Sequence, residues 1–180
     1  MRVITGTARG ISLKAPSGML TRPTTDRVKE ALFSIIHFEI PGANVLDLFG
    51  GTGQLGIEAL SRGAKSAVFV DAREDACKLI RENLSKTKLQ DRARVIRADY
   101  LDYLKRTKDK FDIILLDPPY AEVFLENSLK SITEIDILQS GGIIVAERPV
   151  GKELPWEFQG YSRSKDYKYG NTLLTVYRKD

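Results

Sequence analysis

Residues 111–120 read FDIILLDPPY, an apolar run suited to a fully buried strand, closed by an acid, two prolines and a tyrosine. Proline carries no N–H, and a residue that precedes proline is pushed away from the helical region towards extended backbone. Asp117, Pro118 and Pro119 therefore make a stiff loop that offers a carboxylate and a carbonyl, both acceptors, beside the flat face of Tyr120. Two acceptors and a stacking ring suit an exocyclic amino group on an aromatic base. The lone pair of such an amine is delocalised into its ring, so it attacks poorly. Accepting a hydrogen bond from each of its hydrogens holds the nitrogen, favours a pyramidal geometry and aims the lone pair at an electrophile. Catalysis would then consist of orientation and electrostatics, without a metal or a covalent intermediate. If the base is guanine, Asp117 can also accept from the neighbouring ring N–H. A base within a duplex would have to be flipped out to arrive there. Taken alone, the four residues also suit a plain strand-ending turn.

A second chemical signal lies upstream. After NVLDLF comes GGTGQLG, in which Gly51, Gly53 and Gly56 fit GxGxxG, and Asp71 ends the strand that follows. Such glycines let the backbone turn sharply and let a ligand approach it, while an acid at the second strand's tip accepts from ribose hydroxyls. Further acids recur at strand tips: Asp47, Asp99 and Asp117. Four carboxylates on one rim would repel a pyrophosphate, yet they suit a sulfonium, an ammonium and a hydroxyl-rich ribose. S-adenosylmethionine answers that charge pattern better than a nicotinamide dinucleotide. The chain also has too few residues beyond the nucleotide-binding half for a separate substrate domain.

The elements that must position these residues follow from periodicity. Arg2–Thr5 and Ile11–Lys14 alternate apolar and polar residues around GTARG, which predicts a short hairpin. Thr24 or Thr25 can cap a helix with Val28, Ala31, Leu32, Ile35 and Ile36 on one face. Strands are expected over 44–49, 66–71, 94–99, 111–117 and 141–147, with helices between them. One of these helices carries Ala76, Leu79, Ile80, Asn83 and Leu84 on one side. This alternation predicts an α/β fold: a Rossmann-like, mostly parallel sheet with helices on both faces. YSRSKDYK and TLLTVYRK, joined by a Gly-Asn turn, predict an antiparallel pair at one sheet edge.

At 180 residues, with 42% hydrophobic and 29% charged residues, one globular domain with a sizeable core is expected. Residues 1–20 read as a basic hairpin extension and 21–180 as the main domain. No apolar run reaches the roughly 18 residues that span a bilayer, and no signal-peptide pattern opens the chain, so a cytoplasmic protein is expected. Cys77 is the single cysteine and His37 the single histidine, which leaves no cluster of soft metal ligands. Cys77 and Trp156 read as packing residues, as do Tyr167 and Tyr169; His37 reads as packing or capping. The net charge of +4 is unevenly spread. Six bases against two acids in residues 1–30, and five against two in residues 160–180, leave the middle at −3. Basic ends on a mildly acidic body suit a polyanion, or simply a solvated surface.

VLDLFGGTGQLG, Asp71, Asp99 and DPPY together resemble class I S-adenosylmethionine-dependent methyltransferases that act on exocyclic amines. More narrowly, RVITGTARGISLKAP, RPTTDRVKEALF, LGIEALSRGA and YGNTLLTVYRK are similar to the RsmD family, from Arg2 to about Arg178. Members of that family methylate the exocyclic N2 amine of guanine 966 in 16S ribosomal RNA. The resemblance implies that Asp47, Phe49, Gly51 and Gly53 cradle the methionine end of the cofactor, with Pro23, Thr24 and Thr25 beside it. It implies that Asp71 holds the ribose, with Ala72 beside it in the cofactor site, that Asp99 and Tyr100 meet the adenine, and that Asp117 to Tyr120 receive the target amine. Gly50 and Ala72 depart from the residues expected there. Arg2, Arg9, Lys14 and Arg22 are the candidate RNA contacts, on naked 16S rRNA or a small-subunit assembly intermediate, and the protein is expected to be a monomer. Two alternatives remain: a DNA adenine methyltransferase, which would usually need an added recognition domain, and a non-catalytic RNA-binding assembly factor. Methyl transfer, and its dependence on Asp117, separates them.

Overall fold

Val45–Leu46, Val68–Val70 and Ile113–Leu116 are apolar at successive positions, so both faces of these strands must be covered. The computed structural model describes residues 1–17, 25–119, 122–151, 153–155, 157–158 and 160–179. In it the runs form β1 (Asn44–Asp47), β2 (Ser66–Asp71) and β4 (Phe111–Leu116), joined by β3 (Ala93–Arg97) and β5 (Leu138–Pro149) in one parallel sheet. β6 (Glu157–Phe158), β7 (Tyr161–Tyr169) and β8 (Thr172–Lys179) extend it antiparallel, giving the order β3-β2-β1-β4-β5-β8-β7-β6. The chain steps outward from β1 to β3, then crosses back to place β4 on the other side of β1. Ligands of such sheets bind beyond the strand ends at that reversal.

Alternate residues of each central strand feed two cores. Val45, Phe69, Leu115 and Val145 face α1 (Asp26–Ile35), α2 (Gln54–Ser61) and α3 (Glu74–Thr87). Leu46, Val70, Leu116 and Ala146 face α4 (Tyr100–Arg106) and α5 (Glu122–Ile135). Each fully buried large apolar side chain contributes about 1.5–3 kcal/mol, so this double burial is the main force that sets the strand order. Of the two expected caps of α1, Thr25 serves: its side chain accepts from the Val28 N–H at 3.3 Å.

Boundaries differ from the sequence expectation where a side chain claims the backbone. β3 stops at Arg97 because Asp99 turns to cap α4, its Oδ1 accepting from the Leu101 N–H at 2.9 Å. β5 runs longer, over Leu138–Pro149, because β8 pairs with its far end. The N-terminal hairpin contains one antiparallel bridge, Arg2 to Ser12, flanked by Val3 N–H to Ile11 O at 3.0 Å.

That hairpin is held by burial and by charge. Val3, Ala8 and Leu13 join the core while Arg2 and Arg9 stay exposed. Glu58 of α2, fully buried, accepts from the backbone N–H of Ile4 at 2.9 Å and of Thr5 at 3.0 Å. The same carboxylate meets Arg62 Nε at 2.8 Å and the buried Lys29 Nζ at 3.8 Å. Lys29 in turn donates to the Arg2 carbonyl, and burial holds its pKa below the usual range despite Glu58. Replacing Glu58 with alanine strands a buried ammonium and frees two amides. The expected loss is about 3–5 kcal/mol by chemical denaturation. The Ile4 and Thr5 amides are expected to exchange hydrogen earlier than the rest of the core.

Candidate active site

The loop after β1 is built by backbone that only glycine accepts easily. Gly51 and Gly53 have φ of 56° and 81°, in the left-handed region, and Gly53 caps α2. Gly56, one turn into α2, is required for a different reason. A Cβ there would lie 2.3 Å from Phe69 Cε1, so the helix can approach β2 this closely only without a side chain. The close approach brings the Gly56 N–H to Asp47 Oδ2 at 3.1 Å.

Asp47 is 1% exposed at the tip of β1. Burial pushes its carboxyl up to about 8, assisted by the nearby charges of Asp117 and Asp71 and opposed by the Gly56 N–H. Asp71, at the tip of β2, accepts from the Gly51 N–H through Oδ2 and from the Arg73 N–H through Oδ1, both at 2.9 Å. Each oxygen has two lone pairs, so one on each remains for a ligand. Asp71 thereby fixes the glycine loop as well as marking the strand end.

These residues line a cleft of about 1180 Å³ at the strand ends. It exceeds the roughly 300–1,000 Å³ typical of a small-molecule pocket, leaving room for a cofactor and the end of a second substrate. Asp47, Phe49, Gly51, Asp71, Ala72, Asp99 and Tyr100 line it, together with Asp117, Pro118 and Pro119. Gly53 lies behind them in the loop, and Thr25 caps α1. Arg22, Pro23, Thr24, Tyr120 and Trp156 lie outside the described residues. Of the candidate RNA contacts, Lys14 lines the cleft and pairs with Glu82 at 2.7 Å, Arg2 lies 3.6 Å from Asp26, and Arg9 is exposed on the hairpin. Cys77 is buried, and Tyr167 and Tyr169 are half-buried against the core. Among the described residues no group of acids, histidines and cysteines could hold a metal, and no helix is long and apolar enough to cross a membrane.

Several site residues escaped the sequence reading. Phe124, in the first turn of α5, sits 6.0 Å from the Phe49 ring and 5.4 Å from Tyr100, completing an aromatic wall with the Phe49–Tyr100 pair at 5.2 Å. Gln54 lines the cleft with its buried Oε1 lacking any partner among the described residues. Asn83 stands out by its connections rather than its place on the apolar face of α3. Its Nδ2 donates to the carbonyls of Thr52 at 2.9 Å and Lys14 at 3.1 Å, and its Oδ1 accepts from the Lys14 N–H at 2.8 Å. One buried amide thus ties the glycine loop to the end of the hairpin.

Asp47 makes the site pH-sensitive in the ligand-free protein. Its folded pKa of about 8 lies above the ordinary 3.8, so the folded state holds the extra proton between these values. Stability from this group is full below about pH 4 and is lost as pH rises towards 8. Asp47→Asn is therefore expected to melt above the parent at pH 8 and to lose that advantage towards pH 4, in thermal scans across the range.

The family described as conserved hypothetical protein 95 matches residues 1–178. YlbH of Bacillus subtilis (strain 168) is 42% identical over 182 residues, covering 99% of each chain. The ribosomal RNA small subunit methyltransferase D of Escherichia coli (strain K12) is 31% identical over 180 residues, covering all of this chain and 90% of its own. The solved structure of yhhF from Escherichia coli, described as a methyltransferase, superposes with a TM-score of 0.91 at 29% identity, covering 100% of this chain and 98% of its own. With a glycine loop, an acid-rimmed cleft and these relatives, the chain belongs to the conserved hypothetical protein 95 family, the RsmD family, on a class I methyltransferase fold.

Proposed function

We propose that this protein is an S-adenosylmethionine-dependent rRNA methyltransferase acting on the exocyclic N2 amine of a guanine in 16S RNA. The observation that carries the reading is that Asp117 and Pro118 share one cleft with the glycine loop, on strands that are direct neighbours in the sheet. The small-subunit rRNA named in the Escherichia coli relative supports the substrate class. The donors of the cleft suit the cofactor. Asp47 and Gln54 Oε1, which lacks a partner among the described residues, suit the ammonium of an amino-acid end, the outer lone pairs of Asp71 suit a ribose, and Tyr100 and Phe49 offer apolar faces to a base. When bound, that cofactor supplies an electrophilic methyl group on a sulfonium.

The chain's own residues then act on the amine. Asp117 and the Pro118 carbonyl accept one hydrogen each, which draws the lone pair out of conjugation and aims it towards the cofactor side of the cleft. The Phe49–Tyr100–Phe124 wall keeps water from that side. Forming the new N–C bond would break the methyl–sulfur bond and leave the sulfur a neutral thioether; the nitrogen becomes cationic, and the Asp117 carboxylate stabilises it and passes its proton towards solvent. The exposed arginines of the hairpin, and Lys14 at the cleft, would grip the RNA backbone, a contact that weakens with salt. Residues 1–20 serve in this reading as an RNA-gripping extension of the domain formed by 21–180. A monomer in the cytoplasm suffices for this chemistry.

The test is transfer of labelled methyl from S-adenosylmethionine to small-subunit ribosomal RNA. Asp117→Ala is expected to lower kcat by about a hundredfold or more, with cofactor affinity within about threefold of the parent. Labelling of duplex DNA adenine in preference to the RNA, or an absence of transfer to either, would sink the reading.

A further inference from the structure

Asp117 is not the only carboxylate that strand register delivers to the amine's end of the cleft. β4 and β5 pair in parallel with Leu115 opposite Val145 and Leu116 opposite Ala146. One step beyond that last pair come Asp117, just past the end of β4, and Glu147, still within β5. Leu115 and Val145 lie on one face of the sheet and Leu116 and Ala146 on the other. Alternation within β5 returns Glu147 to the face of Val145, while Asp117 leaves the end of β4 with the extended backbone that a following proline favours. Asp117 and Glu147 both line the cleft. Glu147 is half-buried and sits inside a paired strand, opposite Leu174 of β8, whereas Asp117 begins a loop. A fixed carboxylate beside an amine clamp is suited to discrimination rather than to chemistry.

Guanine carries two neighbouring kinds of donor on this edge, the amine and the ring N1–H. A single carboxylate that took both at once would hold the amine flat in the ring plane and keep its lone pair conjugated. Drawing the lone pair out requires Asp117 and Pro118 to engage the two amine hydrogens, which leaves N1–H in need of its own acceptor. Resting on the function proposed above, we propose that Glu147 is the specificity-determining residue that accepts the N1–H of the target guanine. Adenine and cytosine present a lone pair at the ring nitrogen beside their amine. A carboxylate there repels that lone pair where guanine would donate a hydrogen bond, so the site rejects them.

2-Aminopurine keeps the amine in the same place, turns N1 into an acceptor and lacks the 6-oxo group, so the contact is read from how the Glu147 variants change the preference and not from the parent's preference alone. Methyl transfer is measured on small-subunit RNA carrying guanine or 2-aminopurine at the modified position, with the parent protein, Glu147→Gln, Glu147→Ala and Asp117→Asn. The parent is expected to favour guanine by about a hundredfold or more in kcat/KM. Glu147→Gln offers a donor as well as an acceptor and is expected to narrow that preference to about tenfold or less. Cofactor affinity should stay within about threefold of the parent, since Asp47 and Asp71 lie on the other side of the strand reversal. Glu147→Ala, which removes the acceptor without adding a donor, is expected to lose activity on guanine with little gain on 2-aminopurine. An unchanged preference in both Glu147 variants, with transfer to guanine intact, would overturn the assignment and leave the proposed function standing. A preference narrowed by Asp117→Asn alone would overturn it in favour of a carboxylate that grips both donors. Failure of the parent to methylate the guanine RNA would remove the function and this assignment together.

Discussion

The contact on which the site hangs is the hydrogen bond from the Gly56 N–H to the buried carboxyl of Asp47. It exists because a helix without a side chain at its third residue can lie against the ring of Phe69. That approach sets α2, and α2 sets the glycine loop at its N-terminus. The loop reaches across to the Asp71 carboxylate at the next strand tip. Three strands thereby share one rim: β1 and β2 carry the loop and its acids, and β4 brings Asp117 from the other side of the reversal. The energetic cost of the arrangement is concentrated in Asp47, a carboxyl taken out of water and surrounded by like charges. A cationic ligand would relieve that cost.

The hairpin, whose end lines the cleft, depends on a second set of polar groups held out of water. Glu58, Lys29 and Arg62 would each be expensive to bury alone, and together they hold the first residues of the chain on α2. Asn83 then fastens the end of the hairpin to the glycine loop. The N-terminal residues are therefore continuous in packing with the glycine loop. Their exposed arginines point away from a core that their own apolar partners complete. This places the basic end of the chain beside the cleft, as binding of a polyanion there would require.

The order of strands and helices, the glycine loop and the acids at the strand tips were all legible in the sequence, because each rests on local periodicity or on a residue's own backbone preference. Asp71 ends its strand as alternation expects, whereas Asp99 and Asp117 lie just past theirs, Asp99 as the cap of α4 and Asp117 at the start of the proline loop. Thr25 was one of two candidate caps, and local geometry chose it. Glu58, Lys29 and Asn83 were legible only as members of a helix. A buried Glu–Lys pair 29 positions apart leaves no periodic trace, and neither does an amide that bridges residues 14, 52 and 83. Phe124 likewise reads as an ordinary helical aromatic until α5 folds over Tyr100. By itself the sequence determined which backbone could turn, which groups could accept and which faces had to be buried. Only the tertiary structure decided that Asp117, just past β4, and Glu147 of the neighbouring β5 line one cleft, and that the end of the hairpin lines it too. Those placements come from long-range register and from the pairing of charges excluded from water, and no local pattern encodes either.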